Sequence, residues 1–457
     1  MIASSAFAGK KYAVLGLARS GAATVETLLA SGAEVLAWDR QDNARAPFDG
    51  LVEMGDPLEA DLTGFDGVVV SPGVPLNTHP IVEHAKKFTV PVVGDIELFA
   101  LTRKDLPAHK VVGITGTNGK STTTALVHHI LKGAGVPATL GGNIGLPILG
   151  QDPLPEGGVY VLELSSYQID LTYTLDCEVA ILLNITPDHL DRYGGFEGYA
   201  ASKAHLLEMQ TSGVAVLNEQ DERVAAIADR LRAKGHGARI VWDHVHAGSG
   251  FDQADWPSLQ GPHNLENAEA AITTCTALGL DASQIAQGLQ SFPGLPHRME
   301  RVTVHDGVLY VNDSKATNQA SAAPALAAYP PDPAINHGAP RIHWIVGGLP
   351  KEPGLQECEA YVGNLAAAYT IGEAGSAFAA ELEGRVPVEN AELLSEAVKR
   401  AMDRAQPGEV VLLSPACASF DQFRDYERRG EYFRQVVAAL TGASPEIQAA
   451  LAAGGSA

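Results

Sequence analysis

A glycine-rich run between an apolar stretch and an amphipathic one constrains the fold of this chain more than any other feature. The run is Gly113-Ile-Thr-Gly-Thr-Asn-Gly-Lys-Ser-Thr122. Glycines let several backbone N–H groups turn toward a phosphate, and the following helix adds its positive amino-terminal end. In such a loop Lys120 would neutralise the β- and γ-phosphates, and the Ser121 hydroxyl would reach Mg²⁺. Ile114 stands where the usual phosphate-loop pattern has its first glycine, which here comes one residue earlier. The alternative is a plain turn between strand and helix.

Short apolar runs alternate with amphipathic stretches along all 457 residues, which is typical of α/β domains with largely parallel sheets. At roughly 150 residues per domain the length suggests about three domains. The breaks in the pattern predict domains at 1–98, 99–296 and 297–457. Asp306-Gly307 predicts a hairpin between two short strands. We expect the proline-rich loop 329–340 to be mobile and the tail after Thr441 to fray.

Composition excludes several classes of protein. Lys and Arg total 32 against 54 Asp and Glu, giving a formal net charge of −22, so a nucleic-acid partner or an acidic membrane surface is a poor hypothesis. The four cysteines are widely spaced, which argues against a disulfide framework or a cysteine-built zinc site. We find no secretory signal and no apolar run long enough to span a membrane, and we expect a cytoplasmic protein.

Polar residues follow two further apolar runs. Glu163 ends the strand-like Val159–Glu163, where a carboxylate is costly unless it is paired or binds a metal. His189 follows the next apolar run and could bind a metal, although Mg²⁺ prefers oxygen, so a hydrogen-bonded loop histidine is the alternative. Lys203 lies on a predicted helix, 197–210, where a surface lysine is the plainer interpretation.

Five motifs together resemble the Mur ligases of peptidoglycan synthesis, over about residues 10–440. They are the phosphate loop, Glu163-Leu-Ser-Ser166, Asn184-Ile-Thr-Pro-Asp-His189, Asn312-Asp-Ser-Lys-Ala-Thr-Asn318 and Leu413-Ser-Pro-Ala-Cys-Ala-Ser-Phe-Asp-Gln-Phe423. The resemblance implies a Rossmann-like amino-terminal domain, a central P-loop ATPase-type domain and a carboxy-terminal Rossmann-like α/β domain. It implies an ATP-dependent amide ligase that adds D-glutamate to UDP-N-acetylmuramoyl-L-alanine through an acyl phosphate.

The resemblance implies that the first domain binds the UDP moiety. The turn Gly16-Leu-Ala-Arg-Ser-Gly21 does not have the spacing of a dinucleotide fingerprint, so NAD binding is not inferred. For Asp39 a strand-end cap is the alternative to a nucleoside contact, and the polar run after Glu163 could bind substrate. The candidate contacts with the UDP substrate are Arg19, Ser20, Asp39, Arg40, Gly73, Asn143, Ser165 and Gln168.

The resemblance also implies ATP and two Mg²⁺ sites. The candidate metal ligands are Ser121, Glu163, His189 and Lys203, with Lys203 N-carbamoylated so that a cation becomes a carboxylate-like ligand. The implied catalytic residues are Lys120, His189, Lys203 and Arg298. The candidate ATP contacts are Gly116, Thr117, Asn118, Gly119, Lys120, Ser121, Thr122, Asn264, Asn267, Arg298 and Asp313. An asparagine-capped helix start is the alternative for the two asparagines.

For D-glutamate the resemblance implies contacts from Lys315, Thr317, Lys351, Ser419, Phe420 and Tyr426. Phe420 and Tyr426 depart from the leucine and phenylalanine of many members, which puts in doubt the transfer of glutamate-analogue inhibitors. The expected partners are small-molecule substrates only, and the expected state is a monomer. Two other functions stay open: a ligase for another amino acid, including folylpolyglutamate synthetase, and a nucleotide-binding regulator without catalysis.

Overall fold

The described residues form three β-sheets, each covered by helices. The structure is a computed structural model that describes residues 1–246 and 249–442. The predicted fraying of the tail falls mostly on 443–457, outside the described residues. The chain divides into two compact units. The amino-terminal unit comprises Met1–Phe251 and Glu266–Leu289, and the carboxy-terminal unit comprises Asp252–Leu265 and the chain from Gln290 onward.

The first sheet is parallel, with strand order β3-β2-β1-β4-β5. Its strands are β1 Lys11–Leu15, β2 Glu34–Trp38, β3 Glu53–Met54, β4 Gly67–Val70 and β5 Val92–Val93. Its helices are α1 Arg19–Ala30, α2 Asp42–Arg45, α3 Ile81–Lys87 and α4 Asp95–Thr102. The order reverses between β1 and β4, so the turns after these two strands open a crevice at one edge, where open α/β sheets bind ligands.

The second sheet is also parallel, with order β11-β10-β9-β6-β8-β7. Its strands are β6 His109–Thr115, β7 Ala138–Gly142, β8 Gly158–Glu163, β9 Val179–Leu182, β10 Val214–Leu217 and β11 Arg239–Val241. Its helices are α5 Lys120–Gly133, α6 Ser166–Ile169, α7 Leu190–Tyr193, α8 Phe196–Glu208, α9 Glu222–Ala233, α10 Pro262–Leu278 and α11 Ala282–Ser291. One apolar core joins the first two sheets, with Leu28, Phe99 and Tyr160 all fully buried in it.

The third sheet has order β12-β13-β17-β14-β15-β16 and is mixed, because β12 pairs antiparallel with β13. This pair confirms the hairpin predicted at Asp306-Gly307. The strands are β12 Glu300–His305, β13 Val308–Asn312, β14 Ile342–Gly347, β15 Leu365–Ile371, β16 Val388–Glu392 and β17 Val410–Leu413. The helices are α12 Gln319–Ala327, α13 Gly375–Leu382, α14 Leu394–Arg404 and α15 Tyr426–Thr441. Helix α15 starts at Tyr426, where the Asp425 side chain caps it by accepting from the Arg428 N–H.

All four cysteines lie in the described part of the chain, buried and unpaired, as their spacing predicts. Among the described helices, none is both long enough and apolar enough to cross a membrane.

Candidate functional site

The phosphate loop follows the central strand of the second sheet. Strand β6 lies between β8 and β9, and all three run parallel. Their carboxyl ends therefore share one edge, which brings together the loop after Thr115, Glu163 at the end of β8, and the segment that follows β9. Sequence reasoning selected all three segments separately, and the strand order makes them neighbours.

Glycine is required at both bends of the phosphate loop. Gly116 has φ +152° and Gly119 has φ +84°, which side chains rarely adopt. A Cβ at Gly119 would overlap the Asn267 amide oxygen, which also accepts a hydrogen bond from the Thr123 hydroxyl at 3.2 Å. Lys120 starts helix α5 and donates to the carbonyls of Gly116 and Thr117 at 2.9 and 2.8 Å, so its charge is held over the loop.

Asn184 fixes the loop from the neighbouring strand, a role that sequence reasoning missed. Its side-chain oxygen accepts from the Asn118 N–H at 2.8 Å, and its amide nitrogen donates to the Asn118 carbonyl at 3.2 Å. The Thr117 N–H donates to the Asn184 carbonyl at 2.9 Å. The only sequence signal was its place directly after an apolar strand, at the start of the motif that contains His189. These bonds hold the phosphate loop and the His189 loop in one register.

Glu163 is buried, with 2 % of its surface exposed. One carboxylate oxygen accepts from the Asn143 amide at 2.9 Å, while the other is buried without a partner. An unpaired buried carboxylate oxygen is costly, and a cation would remove that cost. The donor set therefore fits Mg²⁺, whose usual ligands are oxygens. Across the described residues, no three His, Cys, Asp or Glu side chains form a metal cluster, so phosphate and water oxygens would complete the coordination.

Lys203 is not a surface lysine. It lies on α8 with 1 % of its surface exposed, and its ammonium donates to the Gly116 carbonyl at 2.7 Å. The same nitrogen lies 4.7 Å from the centroid of the Tyr199 ring. Burial, followed by the nearby charge of Lys120, lowers the pKa of Lys203 well below its usual value. The charge of Asp188 opposes this shift. A lysine in this position is readily neutral and nucleophilic.

His189 also packs against Tyr199 through its ring, with ring centroids 6.2 Å apart. It has φ +50° and starts helix α7. Its ring also packs against Tyr167 at 5.0 Å, and the Arg192 guanidinium lies 3.6 Å from the centroid of that second ring. About half of the His189 side chain is exposed, which leaves it open to a ligand.

The predicted UDP turn is tightly built. Gly16 has φ +91°, and a Cβ at Gly21 would overlap the Gly16 carbonyl, so α1 starts very close to β1. The Ser71 hydroxyl donates to the Gly16 carbonyl at 3.0 Å. One oxygen of Asp39 accepts from the Leu17 N–H at 2.7 Å and the other from the Gln41 N–H at 2.9 Å. Asp39 thus caps its strand end, as the structural alternative expected, and stands beside the crevice.

The first and second sheets meet at the candidate substrate residues. Arg19 donates to the Gly145 carbonyl at 2.6 Å, in the loop that also carries Asn143. Ser165 and Gln168 bond each other, since the Ser165 N–H and hydroxyl both donate to the Gln168 amide oxygen, at 3.1 and 2.9 Å. This pair is a capping box that starts helix α6. Arg40 and Gly73 are exposed, and Ser20 is half-buried.

The carboxy-terminal unit forms its own group of candidate residues. Asp313 follows β13 and is 7 % exposed; its carboxylate accepts from the Met299 N–H at 3.1 Å and the Ser414 hydroxyl at 2.8 Å. Burial raises the pKa of Asp313 to about 7, and the charges of Arg298 and Arg429 oppose this. The charge of Arg298 therefore reaches Asp313, and both residues stay candidate ATP contacts.

The candidate D-glutamate residues include two pairs in contact, Lys315 with Tyr426 and Lys351 with Thr317. The Lys315 ammonium lies 4.0 Å from the centroid of the Tyr426 ring. The Lys351 ammonium donates to the Thr317 hydroxyl at 3.2 Å. Ser419 is buried, and Phe420 keeps 69 % of its surface exposed. An aromatic ring therefore lies beside one candidate lysine, and a hydroxyl lies beside the other.

Arg429 supports this group and was missed from the sequence. It is buried on α15, and its guanidinium donates to the Ser314 hydroxyl at 3.0 Å and to the Ser314 carbonyl at 2.9 Å. It also donates to the carbonyls of Cys417 and Ala418, at 3.0 and 3.2 Å. One side chain therefore joins the loop after β13 to the loop after β17, which carry most of the candidates.

The two asparagines of the motif 261–267 belong to different units. Asn264 lies in the carboxy-terminal unit, where its amide donates to the Gln260 carbonyl at 3.1 Å. Asn267 lies in the amino-terminal unit against the phosphate loop. Helix α10 therefore begins in one unit and continues in the other.

Two family models match this chain. Residues 114–275 match the Mur ligase middle domain, and residues 297–417 match the Mur ligase glutamate ligase domain. The UDP-N-acetylmuramoylalanine--D-glutamate ligase of Novosphingobium aromaticivorans is 62 % identical over 96 % of this chain and 97 % of its own length. The ligase of the same name from Sphingopyxis alaskensis is 58 % identical over 96 % of this chain and all of its own length.

Solved structures share the fold at low sequence identity. The UDP-N-acetylmuramate-alanine ligase of Thermotoga maritima superposes with a TM-score of 0.56 at 18 % identity, covering 94 % of this chain and 99 % of that one. A pseudomurein peptide ligase of Methanothermus fervidus gives 0.53 at 18 % identity, covering 94 % of this chain and all of that one. These likenesses support the α/β architecture. The full-length curated relatives, added to the two matched domains, place this chain in the Mur ligase family, among the UDP-N-acetylmuramoylalanine--D-glutamate ligases.

Proposed function

We propose that this protein joins D-glutamate to the alanyl carboxylate of UDP-N-acetylmuramoyl-L-alanine, in an amide ligation driven by ATP. The observation that carries the proposal is the edge formed by β6, β8 and β9. There a phosphate loop, an unpaired buried carboxylate oxygen on Glu163 and a buried lysine lie together. A carboxylate is a poor acyl donor, and this edge supplies what its phosphorylation needs.

The first step is in-line attack of the alanyl carboxylate oxygen on the γ-phosphorus, which releases ADP and forms an acyl phosphate. Lys120 would offset the charge that develops on the phosphate oxygens. Ser121 and Glu163 would hold one Mg²⁺, whose chemistry is to neutralise the β- and γ-oxygens. In the second step the neutral amine of D-glutamate attacks the acyl carbon, phosphate leaves, and the amine gives up a proton.

His189 and Lys203 would hold a second Mg²⁺, with Lys203 as its N-carbamate. Formation of this carbamate needs the neutral amine of Lys203, whose nitrogen attacks CO₂ and then loses one proton. Burial of the Lys203 ammonium without a carboxylate partner supports it. Mass spectrometry of protein prepared with bicarbonate should find the mass of one added CO₂ at Lys203. Lys203→Ala should lose activity and regain part of it with a short carboxylic acid; full activity of Lys203→Ala alone would exclude the carbamate.

The three ligands would be divided among the predicted domains 1–98, 99–296 and 297–457. Lys315, Thr317 and Lys351 would hold the carboxylates of D-glutamate, and Arg298 and Asp313 would contact ATP. We expect the protein to act as a monomer on small molecules in the cytoplasm. Sedimentation of the protein with its substrates tests whether it is monomeric.

Phosphate release with UDP-N-acetylmuramoyl-L-alanine and a panel of amino acids tests the function. We expect ATP-dependent release with D-glutamate at least about tenfold above any other amino acid, and none from Lys120→Ala. A preference for another amino acid would assign a different ligase. No release with any of them would favour a nucleotide-binding regulator.

A further inference from the structure

A pocket of about 330 Å³ lies at the edge of the third sheet away from the candidate reaction residues. Gly307, Arg341 and Glu409 line it, and each immediately precedes a strand, β13, β14 and β17 respectively. These three strands are parallel. The pocket is therefore at their amino ends, whereas Asp313 and Ser414 follow their carboxyl ends. Its volume lies at the small end of the range for small-molecule sites.

Two arginines face this pocket without a carboxylate partner. Among the described residues, Arg301 donates to the Pro257 carbonyl at 3.3 Å and Arg341 to the Pro330 carbonyl at 2.9 Å, and neither forms an ion pair. Each guanidinium has five N–H donors, so most remain available. Elsewhere in the same unit, Arg385 and Arg400 are paired with glutamates. Two unpaired guanidiniums in one pocket favour an anion.

The charges of Arg301 and Arg341 both affect the phenol of Tyr329, which also lines the pocket. Its ring is buried and lies 5.8 Å from the Arg341 guanidinium. Burial raises the pKa of Tyr329 to about 12, while the charges of Arg301 and Arg341 both act to lower it. Strand β12 has an irregular register between Arg301 and Thr303, and such a bulge redirects a side chain. Both arginines therefore line the pocket with Tyr329, the Arg341 guanidinium lies beside its ring, and the charge of Arg301 also reaches the phenol.

The acidic residue of the pocket is engaged elsewhere. Glu409 accepts from the His343 ring at 2.8 Å, the Gln406 N–H at 2.8 Å and the Asn336 amide at 3.1 Å. Asn336 belongs to the proline-rich loop 329–340, which also supplies the Pro330 carbonyl. This loop, to which the proposed reaction gives no role, therefore supplies Tyr329 to the lining and a hydrogen bond that engages the carboxylate of Glu409.

We propose that this pocket binds a small dianion, a phosphate ester or a dicarboxylate, between Arg301 and Arg341. The site is separate from the ligase site, since it lies at the opposite ends of the same strands. Its test measures binding alone and therefore does not depend on the ligase activity. The lining residues Pro257, Leu309 and Ala328 offer apolar contact to the body of such a ligand.

Calorimetric titration of the full chain with glycerol 3-phosphate and with succinate, at fixed ionic strength, tests the site. Anions also bind at the ligase site, so the decisive quantity is the binding heat lost in Arg301→Gln/Arg341→Gln. We expect this variant to bind one of the two probes at least about tenfold more weakly at one site. The matched control Arg385→Gln/Arg400→Gln removes two charges from the same unit and should bind as wild type does.

The probe that loses affinity identifies the ligand as a phosphate ester or a dicarboxylate. If neither probe loses affinity, or the control variant loses as much, the proposal is overturned. Should the double variant fail to fold by circular dichroism, Arg301→Gln alone replaces it, because that side chain is exposed. The single variant should still weaken the same probe, and unchanged binding would overturn the proposal.

Discussion

Lys120 and Lys203 donate to the same acceptor, the carbonyl oxygen of Gly116, at 2.9 and 2.7 Å. Two ammonium groups at one carbonyl repel each other, and burial adds to the cost of the charge on Lys203. The protein therefore keeps Lys203 at the expense of stability, as is common for groups that serve a reaction.

Replacing Lys203 by methionine should separate stability from activity. In protein freed of bicarbonate at pH 7, we expect urea denaturation of Lys203→Met to give a free energy of unfolding roughly 1 kcal/mol above that of the wild type. The variant should release no phosphate. The folded-state pKa is lowered, so the wild-type free energy of unfolding should rise with pH toward the pKa of the unfolded lysine. The variant should lack that rise. Lys234→Met, at an exposed site, should change neither property, and a less stable Lys203→Met would contradict the argument.

A single methyl group at Gly119 should disable the phosphate loop. In Gly119→Ala the Cβ overlaps Asn267 and φ is unfavourable, so the loop must shift. We expect phosphate release to fall about 100-fold and stability to fall by about 1–3 kcal/mol. Gly133→Ala is the matched control, since it ends the same helix and its Cβ would meet nothing within 4 Å. Equal activity in the two variants would show that the close approach at Gly119 is unimportant.

Asp95 should make the stability of the amino-terminal unit depend on pH. It is 3 % exposed, and neither of its carboxylate oxygens accepts a well-formed hydrogen bond, although the N–H groups of Ile96 and Asp95 and the Ser20 hydroxyl lie near them. Burial raises the pKa of Asp95 to about 6, against the weaker opposing effects of the Ile96 and Asp95 N–H groups and of Ser20. Because the folded pKa exceeds the unfolded one, the contribution of the protonated acid is complete below about pH 4 and is lost through pH 6.

We expect Asp95→Asn to remove that dependence. Between pH 5 and pH 7.5 the wild-type free energy of unfolding should fall by about 1.4 kcal/mol relative to the variant, because most of the remaining loss occurs between pH 5 and the folded pKa. Chemical denaturation at several pH values measures the difference. Asp49→Asn, at an exposed site in the same unit, serves as the control and should keep the wild-type profile. Parallel profiles for wild type and Asp95→Asn would refute the assignment.

Removing Arg429 should loosen the D-glutamate group. Arg429→Met removes the donor to the carbonyls of Ser314 and Cys417 and one of two donors to the Ala418 carbonyl, which also accepts from the Leu349 N–H at 2.9 Å. We therefore expect a loss of stability of about 2–4 kcal/mol. The two loops that Arg429 joins should separate, and the KM for D-glutamate should rise more than the KM for ATP. The neighbouring Arg428 is exposed, and Arg428→Met should leave stability and both constants unchanged. Equal effects from the two substitutions would rule out the joining role.

The central strands could be predicted from the sequence, but several edge strands could not. β6 from Val111 onward, β8 and β9 are buried, and each contains a short run of apolar residues. β3, β7, β11 and β16 lie at sheet edges, where half of the side chains meet solvent. β7, Ala138–Gly142, contains two glycines and one large apolar residue, and its pairing with β8 rather than its composition makes it a strand. Helix α11 was also missed.

The candidate site shows the same division. Motif residues such as Lys120 and Glu163 can be identified from the sequence, because charged residues are unusual after apolar strands. Asn184 and Arg429 do not, because their function is to bond backbone groups that the sequence does not place near them. The burial of Lys203 likewise depends on how α8 packs, so the helix pattern alone favours a surface position. The roles assigned to the ligand-binding residues stay predictions until ligands are bound.

The membership of Asp252–Leu265 in the carboxy-terminal unit has a consequence for anyone who cuts or recombines this chain. Trp256 and Leu259 in that segment are buried, and Pro257 accepts from Arg301. The carboxy-terminal unit is therefore discontinuous along the gene: the chain enters it, returns to the amino-terminal unit through α10, and enters it again after Leu289. A fragment that begins at 297 would lack part of its own interior. A chimaera between relatives should exchange residues 252–265 together with the carboxy-terminal sheet.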